Sequence, residues 1–264
     1  MNQTNELPFD SILFEELISL MWKASDAILE VYHSGELDTK TKDDESPVTQ
    51  ADLAAHHVLV NGLSQLTPDI PVVSEEDPSS LRIPESYRRY WLIDPLDGTK
   101  EFINRNDEFT CNLALIDSHK PIYGFVSVPV LGLVYHGGDR HGAYRINRAG
   151  EEARIQCRRH GSKTRVIASK SHLNPETTAF IEAIETPVEL IQAGSSLKFV
   201  RIAEGKADIY PRLAPTCEWD TAAAQAILEG AGGSVKQTDG SPVIYGKSEI
   251  LNPHLLQPQS NAEH

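Results

Sequence analysis

Cysteine is scarce in this chain: Cys111, Cys157 and Cys217 are odd in number, widely spaced, and form no C-x-x-C pair. That excludes a disulfide framework, gives no support to a structural zinc site, and makes a reducing compartment the expected setting. Positive charge is also in deficit. Lys and Arg number 24 against 38 Asp and Glu, a net charge of −14, which argues against a nucleic-acid polymer or an anionic membrane surface as the main partner. Long apolar runs are missing; the longest, Ile122 to Tyr135, contains Pro129 and two glycines and is too short to span a bilayer. Met1 to Pro8 is polar, with neither a basic n-region nor an apolar h-region. The expectation is therefore no secretory leader and no integral membrane segment. A cytoplasmic location follows, with peripheral contact at the inner membrane as the alternative.

What is present suits a globular enzyme-sized core. The 264 residues are 40% hydrophobic and 23% charged, enough for one large or two moderate domains. The most informative stretch is Asp94-Pro95-Leu96-Asp97-Gly98-Thr99, placed directly after the aromatic and apolar run Arg89 to Ile93, which reads as a buried strand. Pro95, lacking an N–H, is expected to end the ladder there. Two carboxylates three residues apart repel and raise each other's pKa unless a cation sits between them. Asp-Gly alone reads as a turn. The whole string, with its five fixed positions, arises by chance in about one in ten thousand chains of this length, and points to a divalent-metal loop.

Three other acids carry two readings each. Thr49-x-x-Asp52 is a capping box for a helix over Leu53 to Leu66, or it brings Asp52 to the metal loop to orient a hydroxyl or water. The short strand Pro71 to Ser74 empties into Glu75, Glu76 and Asp77: a solvated turn, or a third carboxylate for the same cations. Asp220, in Glu218-Trp219-Asp220-Thr221-Ala222, is the N-cap of an alanine-rich helix or a metal ligand. Mg²⁺ takes few protein carboxylates and leaves positions for water and substrate phosphate.

The remaining pattern gives the architecture. A helix is expected from Phe9 to His33, capped by Asp10 or Ser11. Alternating runs from Phe109 to Ile146 read as an antiparallel meander serving as scaffold. After the charged stretch Glu151 to Lys163 the rhythm becomes strand–helix–strand, with helices over Pro175 to Ile184, Ser195 to Glu204 and Trp219 to Glu229. The strands of this half are expected over Arg165 to Ser169, Val188 to Gln192, Ala207 to Tyr210, Gly233 to Lys236 and Glu249 to Leu251, and the residues from Pro253 on are expected to fray. This favours an α/β layer on a largely parallel sheet. The predicted division is an α+β domain at 1–160 with the meander and metal loop, and an α/β domain at 161–264 with a phosphate pocket. Ser169-Lys170-Ser171-His172, Gly194-Ser195-Ser196-Leu197-Lys198 and Pro211-Arg212 fall at the strand and helix ends such a pocket uses, although each alone reads as a cap or a surface charge.

The D-P-L-D-G-T loop at 94–99 and the W-D-T-A helix start at 219–222 resemble the two signatures of the inositol monophosphatase-like family of Mg²⁺-dependent, lithium-sensitive phosphatases. S-P-V-T-Q-A-D at 46–52, S-E-E-D-P at 74–78, W-L-I-D-P-L-D-G-T-K-E-F-I at 91–103 and G-S-S-L-K-F at 194–199 are most similar to its bacterial 3′(2′),5′-bisphosphate nucleotidase branch. The resemblance covers about residues 10 to 253. It implies a layered αβαβα sandwich of the inositol monophosphatase and sugar phosphatase type. It also implies two or three Mg²⁺ ions on Glu75, Asp94, the Leu96 carbonyl, Asp97 and Asp220. Catalysis would fall to Glu75 and to an Asp52–Thr99 pair that orients the attacking water, with the backbone of Gly98 and Thr99 on the phosphate being cleaved. Where inositol-cleaving relatives carry an acid upstream of W-D this chain has Arg212, which favours a second phosphate on the substrate; Ser195, Ser196, Lys198, Arg212 and His172 would hold it. The implied partner is a small nucleotide bisphosphate, 3′-phosphoadenosine 5′-phosphate of sulfur metabolism, split to AMP and phosphate by a monomer or homodimer. The alternatives are inositol monophosphatase or fructose-1,6-bisphosphatase activity on the same site, or a non-catalytic metal- or nucleotide-binding regulator. The last would need a broken ligand set, and no carboxylate is missing.

Overall fold

The computed structural model describes residues 7–34, 40–41, 47–82, 87–158, 161–169 and 173–258. Helix α1 (Ser11–Ser34) opens the chain, its start capped by Asp10, whose carboxylate accepts the Leu13 N–H at 2.8 Å. A small antiparallel pair, β1 (Lys40–Thr41) and β2 (Pro47–Val48), precedes α2 (Gln50–Leu66). Strand β3 (Val72–Ser74) runs parallel to β4 (Arg89–Asp97), and α3 (Thr99–Ile103) is a single turn beyond it. The meander then follows as β5 (Thr110–Asp117), β6 (Lys120–Val128), β7 (Leu133–Gly138), β8 (Gly142–Asn147) and β9 (Glu152–Ile155), completing a seven-stranded sheet ordered β3 to β9.

Period-two alternation divides this sheet between two cores. Trp91 and Ile93 of β4, Leu113 and Leu115 of β5 and Phe125 of β6 pack with Leu17, Met21, Leu59 and Leu63 of α1 and α2. Their neighbours Tyr90, Leu92, Ala114, Ile116 and Val126 face the other way, into a cluster shared with the second half of the chain.

That half contains β10 (Thr164–Ser169), α4 (Pro175–Glu182), β11 (Val188–Ala193), α5 (Leu197–Ala203), β12 (Ile209–Arg212), α6 (Ala222–Gly230), β13 (Lys236–Gln237) and β14 (Leu255–Pro258). Its sheet is ordered β11-β10-β12-β14-β13, parallel among β10, β11 and β12 and antiparallel on either side of β14. Helices α5 and α6 lie between the two sheets, and α4 contacts β12, which gives five layers in the order αβαβα. Two sequence expectations need correction. The stretch expected to fray, 255–258, is an inner strand with Leu255 fully buried, because its backbone pairs with Ile209 to Arg212. Glu249 to Leu251 forms only an isolated bridge from Leu251 to Cys217.

Candidate active site

The site starts from an irregularity in β4. Its ladder with β5 pairs Asp94 with Asn112 and Asp97 with Thr110, so one extra residue is taken up between Asp94 and Asp97. On a regular strand, residues three apart face opposite sides of the sheet; the bulge resets that phase and turns both carboxylates the same way. The strand therefore does not end at Pro95 as expected. It continues to Asp97, and the bulge absorbs the proline, which has no N–H to give to a ladder. Gly98 follows with φ of 94°, where a side chain would be strained, and a Cβ there would lie 3.2 Å from that of Ser195.

Glu75 is docked beside this loop by its own N–H, which donates to the Ile93 carbonyl at 3.2 Å. Asp220 arrives from just before α6. One carboxylate oxygen from each of Glu75, Asp94 and Asp220 lies within 4.8 Å of the others. Asp97 stands beside this trio rather than in it. Each aspartate has one oxygen tied to a main-chain N–H: Asp94 Oδ1 accepts from Leu96 at 3.1 Å, Asp97 Oδ2 from Ser196 at 2.5 Å and Asp220 Oδ2 from Cys217 at 2.7 Å. Asp94 is 1% exposed, and its Oδ2 is buried with no hydrogen-bond partner among the described residues. An unpaired buried acceptor costs roughly 1–3 kcal/mol, more if charged, so an oxygen-loving divalent cation fits this donor set.

Burial holds the Asp94 carboxyl well above its ordinary range, with Glu75, Asp97 and Asp220 adding to the shift. Asp220 is pushed up to about 8 by burial and then by Asp97 and Glu75. Asp97 rises to about 6, also by burial, with Lys198 and the Ser196 N–H pulling the other way. Acids that prefer protons when alone would exchange them for cations.

The two oxygens of Asp52 face different partners. Its Oδ2 closes a capping box on α2, accepting from the Thr49 N–H at 2.8 Å and the Thr49 hydroxyl at 2.6 Å. Its Oδ1 accepts from the Thr99 hydroxyl at 3.1 Å. Burial raises the Asp52 pKa, against those hydrogen bonds. The Leu96 carbonyl lies 3.4 Å from the same Thr99 hydroxyl.

Ser195, Ser196, Lys198 and Arg212 line a cleft together with Asp97, Gly98 and Asp220. Arg212 lies within β12 rather than after it; its Nη2 donates to the Pro215 carbonyl at 2.9 Å, while its Nε is buried without a partner among the described residues. The Lys198 ammonium donates to the Ser195 carbonyl at 2.7 Å and sits 5.3 Å from the centre of the Tyr210 ring. The Ser196 hydroxyl turns inward, 2.8 Å from both Thr110 Oγ1 and Asn112 Oδ1. His172, with Lys170 and Ser171, lies outside the described residues.

Three participants were not singled out from the sequence. Thr110 and Asn112 read as scaffold, although two polar residues alternating at the head of an apolar strand were a signal that one face meets something polar. Glu218, 1% exposed, accepts the N–H groups of Gly246 at 2.7 Å and Lys247 at 3.2 Å and pairs with the Lys247 ammonium, anchoring the segment that presents Asp220. Nothing local in the sequence marks it.

The model of the inositol monophosphatase family matches residues 11–264 of this chain. The 3′(2′),5′-bisphosphate nucleotidase CysQ of Salmonella typhimurium is 44% identical over 243 residues, 91% of this chain and 97% of that protein. CysQ of Buchnera aphidicola is 37% identical over 241 residues, covering 91% of this chain and 90% of the relative. Among solved structures, CysQ from Bacteroides thetaiotaomicron superposes with a TM-score of 0.85 at 36% identity, over 98% of this chain and 100% of that one. Among the described residues no helix is long and apolar enough to cross a membrane.

Proposed function

The chain belongs to the inositol monophosphatase family, and on that premise we propose that it is a 3′(2′),5′-bisphosphate nucleotidase, releasing the 3′-phosphate of 3′-phosphoadenosine 5′-phosphate to leave AMP. The observation that carries this reading is the meeting of Glu75, Asp94 and Asp220 at one point, with Asp220 also lining a cleft that holds Lys198 and Arg212. The carboxylates suit cations and the scissile phosphate; the fixed cations suit a second phosphate.

The family is metal-dependent, and in our reading Glu75, Asp94 and Asp220, joined by Asp97 and the Leu96 carbonyl, would hold two or three Mg²⁺ ions. The chemistry gained on binding is neutralisation of phosphoryl oxygens and acidification of a water. The rest falls to the chain. The Thr99 hydroxyl directs its proton to Asp52 Oδ1, so its lone pairs face outward to receive a proton from water. As that proton arrives, the one already on Thr99 passes to Asp52, whose raised pKa suits it to accept. The N–H groups of Gly98 and Thr99 would hold the phosphate being cleaved. Lys198 and Arg212, with Ser195 and His172, would hold the 5′-phosphate. Phosphoryl transfer needs mainly positioning and charge neutralisation, and no covalent intermediate is invoked.

The test is phosphate release from 3′-phosphoadenosine 5′-phosphate, inositol 1-phosphate and fructose 1,6-bisphosphate, with and without Mg²⁺ and Li⁺. The nucleotide should be turned over fastest, only with Mg²⁺, and less in Li⁺. A preference for either other substrate would move the assignment to it, and release from none would leave a silent binding protein. A cytoplasmic monomer or homodimer, divided near residue 160 with the cleft between its halves, completes the proposal.

A further inference from the structure

We infer that Ser196 is a positioning residue for Asp97 and not a ligand of the substrate, an inference that rests on reading Asp97 as part of the metal site. Ser196 is 1% exposed at the start of α5, and both its N–H and its hydroxyl point back toward the first sheet. The N–H donates to Asp97 Oδ2 at 2.5 Å. Where the hydroxyl proton goes follows from counting protons. The Asn112 amide nitrogen lies 3.5 Å from Asp97 Oδ2, and a carboxylate accepts, so the amide nitrogen faces Asp97 and Oδ1 faces Ser196. Ser196 gives its one hydroxyl proton to that Oδ1, at 2.8 Å. Thr110 must then be the donor in its 2.8 Å contact with Ser196, which leaves no proton for its 3.5 Å approach to Asp97. The Ser196 N–H is thus the one short donor to Asp97 among the described residues, and its aim is fixed by a hydroxyl tied to β5.

The residues that tie it, Thr110 and Asn112, are those paired with Asp97 and Asp94 across the ladder. The hydrogen bonds to Asp97 from Ser196 and Asn112 both fall on Oδ2, which leaves Oδ1 for the cleft. The same turn is held from both ends. The Gly194 N–H donates to the Glu108 carboxylate at 3.0 Å, and Lys198 holds the Ser195 carbonyl at 2.7 Å while Ser195 adopts a φ of 43°, a region costly for a residue with a side chain. A hydroxyl so engaged has no proton left for a phosphate.

Partners that orient a metal ligand change metal affinity by about 10–100-fold when removed. The test compares Ser196→Ala, Thr110→Val and Thr110→Ser with the wild-type chain. Thermal unfolding is titrated with Mg²⁺ alone, and phosphate release is measured with Mg²⁺ and nucleotide varied separately. Ser196→Ala and Thr110→Val should need about tenfold more Mg²⁺ to reach half the Mg²⁺-induced rise in unfolding midpoint, with nucleotide KM unchanged within about twofold. Thr110→Ser, which keeps the hydroxyl, should restore the wild-type midpoint. Wild-type Mg²⁺ dependence in Ser196→Ala would overturn the inference, as would a raised nucleotide KM at unchanged Mg²⁺ dependence, which would return Ser196 to the substrate. If Ser196→Ala fails to fold, the Thr110 pair decides alone, and equal Mg²⁺ midpoints for the two overturn it. A wild-type chain that Mg²⁺ does not stabilise would instead bring down the metal reading of Asp97, and the inference with it.

Discussion

Replacing Asp94 by Asn should make the chain more stable in the absence of cations and indifferent to their addition. One carboxylate oxygen of Asp94 lies within 4.8 Å of carboxylate oxygens on Glu75 and Asp220. Two unit charges at such a distance repel by about 3.5 kcal/mol at an effective dielectric of 20. Protons retained by Asp94 and Asp220 relieve part of this in the cation-free chain, since burial and mutual repulsion hold both groups high. At pH 8.5, above the value of about 8 to which Asp220 is pushed, Asp220 is mostly charged, and removing the Asp94 carboxyl beside it should stabilise the chain by roughly 2–4 kcal/mol. For a chain of this size that is an unfolding midpoint about 4–15 °C higher. Asparagine keeps the Oδ1 that accepts the Leu96 N–H, and its amide can donate to the neighbouring carboxylates. With Mg²⁺ at a hundred times its dissociation constant the wild type gains about 2.7 kcal/mol, and the variant gains nothing. Calorimetry at pH 8.5 in EDTA and again in Mg²⁺, alongside phosphate release, reads all three quantities. A variant that melts below the wild type in EDTA, or that still responds to Mg²⁺, would refute the crowding of charge on which the metal site is argued.

Other expectations follow from the same geometry. In EDTA, Asp97 and Asp220 titrate at about 6 and about 8, above the ordinary aspartate value of 3.8. A carboxyl raised on folding stabilises fully below its unfolded value, and that contribution is lost as pH rises through the folded one. The metal-free midpoint should therefore fall from pH 5 to 8.5, while Mg²⁺ affinity climbs over the same range as protons are displaced; flat Mg²⁺ affinity between pH 6 and 8 would contradict this. Arg212→Glu should weaken apparent binding of the bisphosphate nucleotide at least about tenfold more than that of an adenosine monophosphate lacking the 5′-phosphate, the loss of one buried charge-assisted contact. Steady-state kinetics on both substrates reads the difference, and equal losses would remove Arg212 from the pocket. Gly124→Ala would set a Cβ 2.1 Å from the Ala223 carbonyl oxygen, where β6 and α6 touch backbone to backbone. Overpacking of that kind costs about 1–3 kcal/mol, and an unchanged calorimetric midpoint would show that strand and helix do not meet so closely.

Much of the layered fold could be read from periodicity, because α1, α2 and the meander each bury one face and announce it in their own residues. The carboxylates at 75, 94, 97 and 220 could be named because short motifs carry them. Their convergence could not be derived locally. The bulge that brings Asp94 and Asp97 to one side exists only because β5 pairs across it, so Pro95 alone suggested an end where the strand in fact continues. Leu255 to Pro258 looked like a polar tail until β12 supplied its partner. Ser196 illustrates the same limit at the level of one proton. A serine at a helix start reads as an anion contact, yet Thr110 and Asn112, 86 and 84 positions away, decide where its hydroxyl points. Local sequence proposes such groups, and non-local pairing assigns their directions.

The doubled duty of Asp52 has an evolutionary cost. How firmly α2 begins and how readily Thr99 gives up its proton are governed by two oxygens of a single side chain. Selection for a stronger acceptor would loosen the helix, and selection for a tighter helix would weaken the acceptor, so the two traits cannot drift independently. Thr49 touches only the oxygen turned away from Thr99, yet its two hydrogen bonds pull the Asp52 pKa down, so even a change at the cap reaches the acceptor.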